Sequence, residues 1–329
     1  MSGIEFQFIR FFCTQIVYFC CSTLIKVMSK FKVIIVLAIL VLPCLANAQS
    51  YKQRWKSYRT ELHFGVGVSN FLGELGGADQ VGTDYLKDLE LSENNLAVSA
   101  GFRYKLSQVF ALNNTLTYGR VSGDDALTQE FFRNYRNLNF RSDIFELSSN
   151  LEIAFIKEQV GARYKLKGVR GSRGFELSGY GFIGLGVFYF NPKGEYKGEW
   201  VNLAELNTEG QGLTDTRKDY SRIQLAIPVG IGFKYGIDRR WGIGLQFGIR
   251  KTFTDYIDDV SKTYYSQGSL LASGGTLSAE LADRSDNEFP YITAEGAQRG
   301  DPRDKDSYMF AIFSINYKLR TGRSGFPMF

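Results

Sequence analysis

His63 is the only imidazole in 329 residues, so the search for chemistry starts there. A lone histidine without cysteine cannot supply the ligands of a usual zinc site. A hydrolase would need a serine and an orienting acid beside it. Ser69 and Ser99 share its strand parity, but at a spacing too loose to define a triad. A buried, hydrogen-bonded histidine is the simpler expectation. The stretch GYGFIG places Gly179, Gly181 and Gly184 at the spacing of a dinucleotide-binding turn. That turn needs a helix after it, and LGVFYF continues a strand, so the match is read as chance. Asp255, Asp258 and Asp259 in FTDYIDDVSKTYY offer hard oxygen ligands. Their spacing is not that of a calcium-binding helix–loop–helix, and a solvated loop packed on a rim is expected instead. Arg299-Gly300-Asp301 matches the integrin tripeptide inside a charged run, again a chance reading. No catalytic residue, metal or cofactor is expected.

The elements that must carry these residues are strands. In WGIGLQFGIRKTF, Trp241, Ile243, Leu245, Phe247 and Ile249 alternate with Gly242, Gly244, Gln246, Gly248 and Arg250. Period two sends successive side chains to opposite faces of a strand. The same alternation recurs over 60–70, 94–106, 109–121, 144–156, 174–190, 221–236 and 308–320, which makes eight strands with no helical periodicity between them. Each is long enough to cross a bilayer at a tilt. Strands two and three are joined by Ser107-Gln108, and six and seven by 237–240. A medium connection, 157–173, joins four to five. The links 71–93, 122–143, 191–220 and 254–307 are long and polar. Short turns at one rim and long loops at the other describe an eight-stranded antiparallel transmembrane β-barrel of the outer membrane, with periplasmic turns and extracellular loops.

The bulky apolar parity is expected to face lipid. The other parity mixes small residues with Arg103, Lys105, Lys234, Gln246 and Arg250 and with Glu146 and Glu152. Eight strands enclose only enough room for side chains, so these groups are expected to line the lumen, pair and plug it. Tyr104, Tyr118, Tyr189, Tyr235, Trp241, Phe253 and Tyr317 fall where an interfacial aromatic girdle belongs.

Ahead of the barrel, MSKFKVIIVLAILVLPCLANAQS has a basic start at Lys30 and Lys32, a short apolar run and a small-x-small site at Ala46-Asn47-Ala48. This reads as a signal peptide over 28–48, cleaved after Ala48, with the true start at Met28 and residues 1–27 outside it. Residues 49–59 then form a periplasmic segment, 60–320 the barrel and 321–329 a tail. All four cysteines (Cys13, Cys20, Cys21, Cys44) precede the cleavage point, so the exported chain uses no disulfide or thiol chemistry. The leader takes four of the 39 basic residues and one of the 34 acids, leaving a nearly neutral chain with no electrostatic call for nucleic acid.

LHFGVGVSNFLGELGG (62–77), IQLAIPVGIGFKYGIDRRWGIGLQFGIRKTFTDYIDDVSKTY (223–264) and the final strand resemble the small outer-membrane barrels of Bacteroidota, nearest to the PorG-like type associated with type IX secretion. The resemblance implies a non-enzymatic membrane anchor that links the outer membrane to a periplasmic secretion ring. It carries over no catalytic or ligand residue. The extended loops 191–220 and 254–307 and the tail TGRSGFPMF depart from the pattern and leave room for a paralogue. On this reading the partners are outer-membrane lipid and periplasmic ring proteins, with no small-molecule substrate. The connection KEQVGARYKLKGVRGSR, through Lys165, Lys167, Arg170 and Arg173, is the expected docking surface. The alternative is a surface-binding barrel that acts through its long loops.

Overall fold

A computed structural model describes residues 53–73, 75, 94–128, 130–158, 177–238, 240–322 and 327–328. The expected signal peptide therefore lies outside the described residues, as does most of the first long loop.

Eight strands form the barrel: β1 (Thr60–Leu72), β2 (Asn95–Lys105), β3 (Phe110–Asp124), β4 (Asn139–Ile156), β5 (Leu177–Tyr196), β7 (Ile223–Gly236), β8 (Trp241–Thr252) and β9 (Ser307–Thr321). A short strand, β6 (Glu199–Asn202), turns back onto the top of β5. Every neighbouring pair is antiparallel, and β1 pairs with β9 from Thr60↔Leu319 to Leu72↔Ser307, which closes the ring. Closure pairs the strand backbone within the sheet and leaves no open edge, the condition for strands in hydrocarbon. The two-residue strand β10 (Pro327–Met328) folds back on the end of β9.

Burial identifies the two faces. On one parity Phe64, Leu96, Leu147, Leu185, Leu245 and Phe313 are exposed, reaching 70% at Leu96 and Leu185. On the other, Glu61 and Glu146 are 0% exposed and Arg103 3%. A water-soluble barrel has the reverse arrangement. Charges inside and leucines outside require a lipid solvent around the wall, so this is a transmembrane barrel of the outer-membrane kind. Trp241 and Tyr317, with ring centroids 4.7 Å apart, stand with Tyr104 and Tyr235 at the lower end of the outer face; Tyr118, Phe145 and Tyr189 form a row near its upper end.

Three sequence expectations change. The strands β4 and β5 run 18 and 20 residues, well past the roughly 9–11 needed to cross a bilayer, so they carry the loops above the membrane. The links also contain helices that the periodicity did not announce: α1 (Phe131–Arg136) and α2 (Gln267–Ala282). Glu130 caps α1 by accepting from Arg133 N at 2.7 Å, and Asn137 ends it in the left-handed region. Gly275, at φ 72°, breaks α2 into two short pieces of mostly small residues, too short for a helical apolar stripe to show. The acidic stretch after β8 is not solvated either. Asp255, Asp258, Asp259 and Ile257 are all buried, because the loops close over them.

Candidate functional site

The lumen holds two charge clusters separated in height. At the lower, periplasmic end, Arg103 lies between two carboxylates. It pairs with Glu61, reaches Glu152 Oε2 at 2.6 Å and donates to Tyr180 Oη at 3.2 Å. Lys234 Nζ sits 3.2 Å from Glu61 Oε1, and Asn113 Nδ2 donates to the other oxygen of Glu152 at 2.9 Å. Glu158, just past the end of β4, turns back into the mouth and pairs with both Lys105 and Lys318. Higher up, Arg250 Nε meets Glu146 Oε2 at 3.1 Å, and Tyr308 Oη donates to the same oxygen at 2.9 Å. Burying an ion is expensive unless it is paired and hydrogen-bonded. These networks meet that condition except at Glu146 Oε1, which has no partner among the described residues, and they fix how the strands face one another across the lumen.

Every lumen-lining candidate named from sequence therefore points inward: Arg103, Lys105, Glu146, Glu152, Lys234 and Arg250 in ion pairs, and Gln246 accepting from Tyr180 Oη at 3.3 Å. Sequence reasoning missed Glu61, Glu158 and Lys318. Glu61 shares the parity of His63 and could have been assigned from that alone. Glu158 follows the last alternating residue of β4, so periodicity places it in the basic connection. Lys165, Lys167, Arg170 and Arg173 lie outside the described residues.

Glycines and aromatic rings fill the middle of the barrel. A Cβ on Gly232 would run into the Tyr180 ring, and one on Gly248 into Phe182. The glycine parity of β7 and β8 is thus the floor on which two rings of β5 lie. His63 is buried, with Nε2 3.4 Å from Thr115 Oγ1. Ser69 instead hydrogen-bonds the Arg120 carbonyl, six residues further up β1 and so roughly 20 Å from His63. Ser99, opposite Gly65, is a diagonal neighbour of His63, and among the described residues neither serine hydrogen-bonds the imidazole. Gly179, Gly181 and Gly184 all lie within β5. Around the Arg250 pair the lumen turns aromatic: Phe188, opposite Glu146, packs on Tyr308, opposite Arg250, and Tyr308 on Phe310, with centroids 5.3 and 5.5 Å apart. The cavity left at the lower mouth, between Trp55, Arg103, Glu158 and Lys234, is about 50 Å³, room for a few waters.

The long links fold into a cap over this plug. Tyr220 stacks between Phe190 and Tyr256, so the aromatic column of the lumen continues upward. Arg299, buried at 3%, donates to Glu209 Oε1 at 2.9 Å and to the Asp259 carbonyl at 2.7 Å. Its own carbonyl accepts from Arg136, whose Nε is 2.7 Å from Asp125. Glu209 also accepts from Ser261 N at 2.9 Å. One chain of ion pairs and hydrogen bonds thus joins the links after β3, β6 and β8. With its arginine buried, the Arg299-Gly300-Asp301 tripeptide has no accessible adhesive face. Asp259 accepts from Tyr220 Oη at 2.7 Å and Thr208 Oγ1 at 2.5 Å. Burial pushes its carboxyl up to about 6; Arg299 opposes that shift, but its guanidinium bonds the Asp259 carbonyl and not the carboxylate. Asp255 is raised to about 6 as well, again by burial, with Ser261 and Lys305 opposing.

Comparison with solved structures returns small barrels at low identity. Ail, the attachment invasion locus protein of Yersinia pestis, is 7% identical with a TM-score of 0.35, covering 80% of this chain and 99% of that one. Neisserial surface protein A is 5% identical at a TM-score of 0.33, covering 79% and 97%. The N-terminal β-barrel domain of Pseudomonas aeruginosa OprF is 9% identical at 0.30, covering 80% and 98%. No curated protein matches the sequence. A family model does match, over residues 32–267, from ahead of the barrel through β8 to the first residue of α2. The chain therefore belongs to the family described as a domain of unknown function, DUF6089.

Proposed function

We propose that this barrel is a non-enzymatic structural component: an outer-membrane anchor that holds a periplasmic or secretion assembly and conducts nothing itself. The observation that supports this reading is the sealed lumen. Paired charges fill its lower part, aromatic rings its upper part, and a folded cap covers the top. A pore needs a continuous watered path and a catalyst needs an accessible cleft, and neither fits this packing. The assignment to a type IX-like assembly rests on the resemblance of 62–77 and 223–264 to PorG-like barrels. On that reading the connection bearing Lys165, Lys167, Arg170 and Arg173 docks the periplasmic partner. The deciding experiment crosslinks and isolates the barrel from its native envelope, with and without reversal of those four residues to Glu. Co-isolation of ring proteins that is lost on reversal supports the proposal. Recovery unchanged by reversal removes the docking surface, and no periplasmic protein in either sample removes the anchoring role.

A second reading, a surface-binding barrel, is favoured by the order of the cap. Links this long usually stay loose, yet a buried ion pair and a buried hydrogen bond join three connections to one another. A rigid cap is a preorganised surface for an outside partner.

A further inference from the structure

Outward-facing residues line up in rows across β3, β4 and β5. Tyr118 pairs with Phe145 and Phe145 with Tyr189, an aromatic row at the top of the apolar wall. Phe145 is 50% and Tyr189 36% exposed. Such a row marks the boundary between hydrocarbon and headgroups. The next outward row holds Arg120, Asp143 and Asn191, and the one above it Ser122, Arg141 and Lys193. Two residues of a tilted strand rise roughly 5 Å, so these rows stand roughly 5 and 10 Å above the aromatic one. Arg222, just before β7, lies 5.9 Å from the Tyr189 ring and donates to Asn191 Oδ1 at 3.3 Å.

In these two rows cations outnumber acids; the row above, Asp124, Asn139 and Glu195, carries the next carboxylates. Asp143 takes Arg120 at 2.8 Å and Lys193 at 3.8 Å, and it is the one carboxylate in the rows. Arg141 lies over the Trp200 ring at 4.1 Å, and its buried Nε has no hydrogen-bond partner among the described residues. Arg120, Arg141, Lys193 and Arg222 against Asp143 fit an anion with several acceptor oxygens. At the top of β1 the outward positions Val68 and Leu72 carry no cation. The patch also continues directly from the lipid-facing wall, at the depth where phosphate groups of the outer leaflet lie.

We propose that the outward face of β3–β5 above Tyr118, Phe145 and Tyr189 binds the phosphorylated headgroup of an outer-leaflet glycolipid. Arg141 and Lys193 contact the phosphate, and the aromatic row packs on its acyl chains. The test reconstitutes the full chain in phosphatidylcholine vesicles with and without diphosphoryl lipid A and measures lipid retained by the purified barrel. Retention should fall roughly fivefold for each cation removed, hence roughly 25-fold for Arg141→Gln with Lys193→Gln. It should weaken with salt. Lys251→Gln, on the outer face of β8, should leave retention unchanged. Enzymatic removal of the lipid phosphates from the wild-type complex should release it, a readout that needs no variant to fold. The proposal is overturned if the double variant retains lipid like the wild type. It is equally overturned if dephosphorylated lipid binds as well, or if inorganic phosphate alone displaces it and so marks a free-anion site.

Discussion

Replacing Arg103 with Met tests the lumen network directly. Its guanidinium serves Glu61, Glu152 and the Tyr180 hydroxyl within the membrane-embedded barrel. After substitution Glu61 keeps Lys234, but Glu152 keeps only the Asn113 amide. Removing one partner of a buried pair costs about 3–5 kcal/mol, because the charge left behind is neither solvated nor paired. Lys234 relieves one of the two carboxylates, so the expected loss is at the low end, about 3 kcal/mol. Adding Glu152→Gln removes the stranded charge and should return about 2 kcal/mol. Urea unfolding of the chain refolded into phosphatidylcholine vesicles, followed by tryptophan fluorescence, measures both. A single variant within about 1 kcal/mol of wild type would refute the reasoning, and so would a double variant less stable than the single one.

Three further outcomes are expected. Leu245→Arg should block insertion, at about 2–4 kcal/mol near mid-depth, while Gln246→Glu on the lumen face should be tolerated beside the surplus lower-mouth cations; equal damage in a vesicle-insertion assay contradicts the facing. Asp259 titrates at about 6 when buried and near 3.9 when exposed, so the closed cap binds a proton that the open cap releases between those values. Cap stability should therefore be greatest in acid and decline as pH rises through 6, by about 1.3 kcal/mol between pH 5 and 7 from Asp259 and about as much from Asp255, visible as slower proteolysis of the loops at pH 5, roughly halved by Asp259→Asn and abolished when Asp255→Asn is added. Arg299→Met should loosen the cap by about 3 kcal/mol without dissolving the barrel, read as faster hydrogen exchange over 206–217 and 257–264 with the strands still protected.

The barrel was legible because its signal is strictly local. Alternation needs only neighbours two apart, and the inversion of polarity shows once Arg103 and Glu152 share a parity with glycines. What escaped depends on partners distant in sequence. Glu209 and Arg299 are 90 residues apart and meet only when the cap closes, so Asp255 and Asp259 read as solvent-loving loop residues. The upper part of β4 was lost for a different reason. Above the membrane its outward side carries Arg141 and Asp143, so alternation continues but the sign of its polarity contrast reverses. Ile144 and Phe140 then face inward, where the sequence reading expected small or charged groups.

The seam between β1 and β9 has a kinetic corollary. Thr60 and Leu319 become hydrogen-bonded neighbours only after nearly the whole chain has been made. Until then the growing sheet has two unsatisfied edges, each a template for misplaced pairing. High contact order makes this last step slow. Whatever delivers the polypeptide must therefore shield those edges until the first strand finds the last, and Gly65 or Gly67, where added bulk meets the β9 backbone, is where a substitution should stall ring closure while leaving every local hairpin intact.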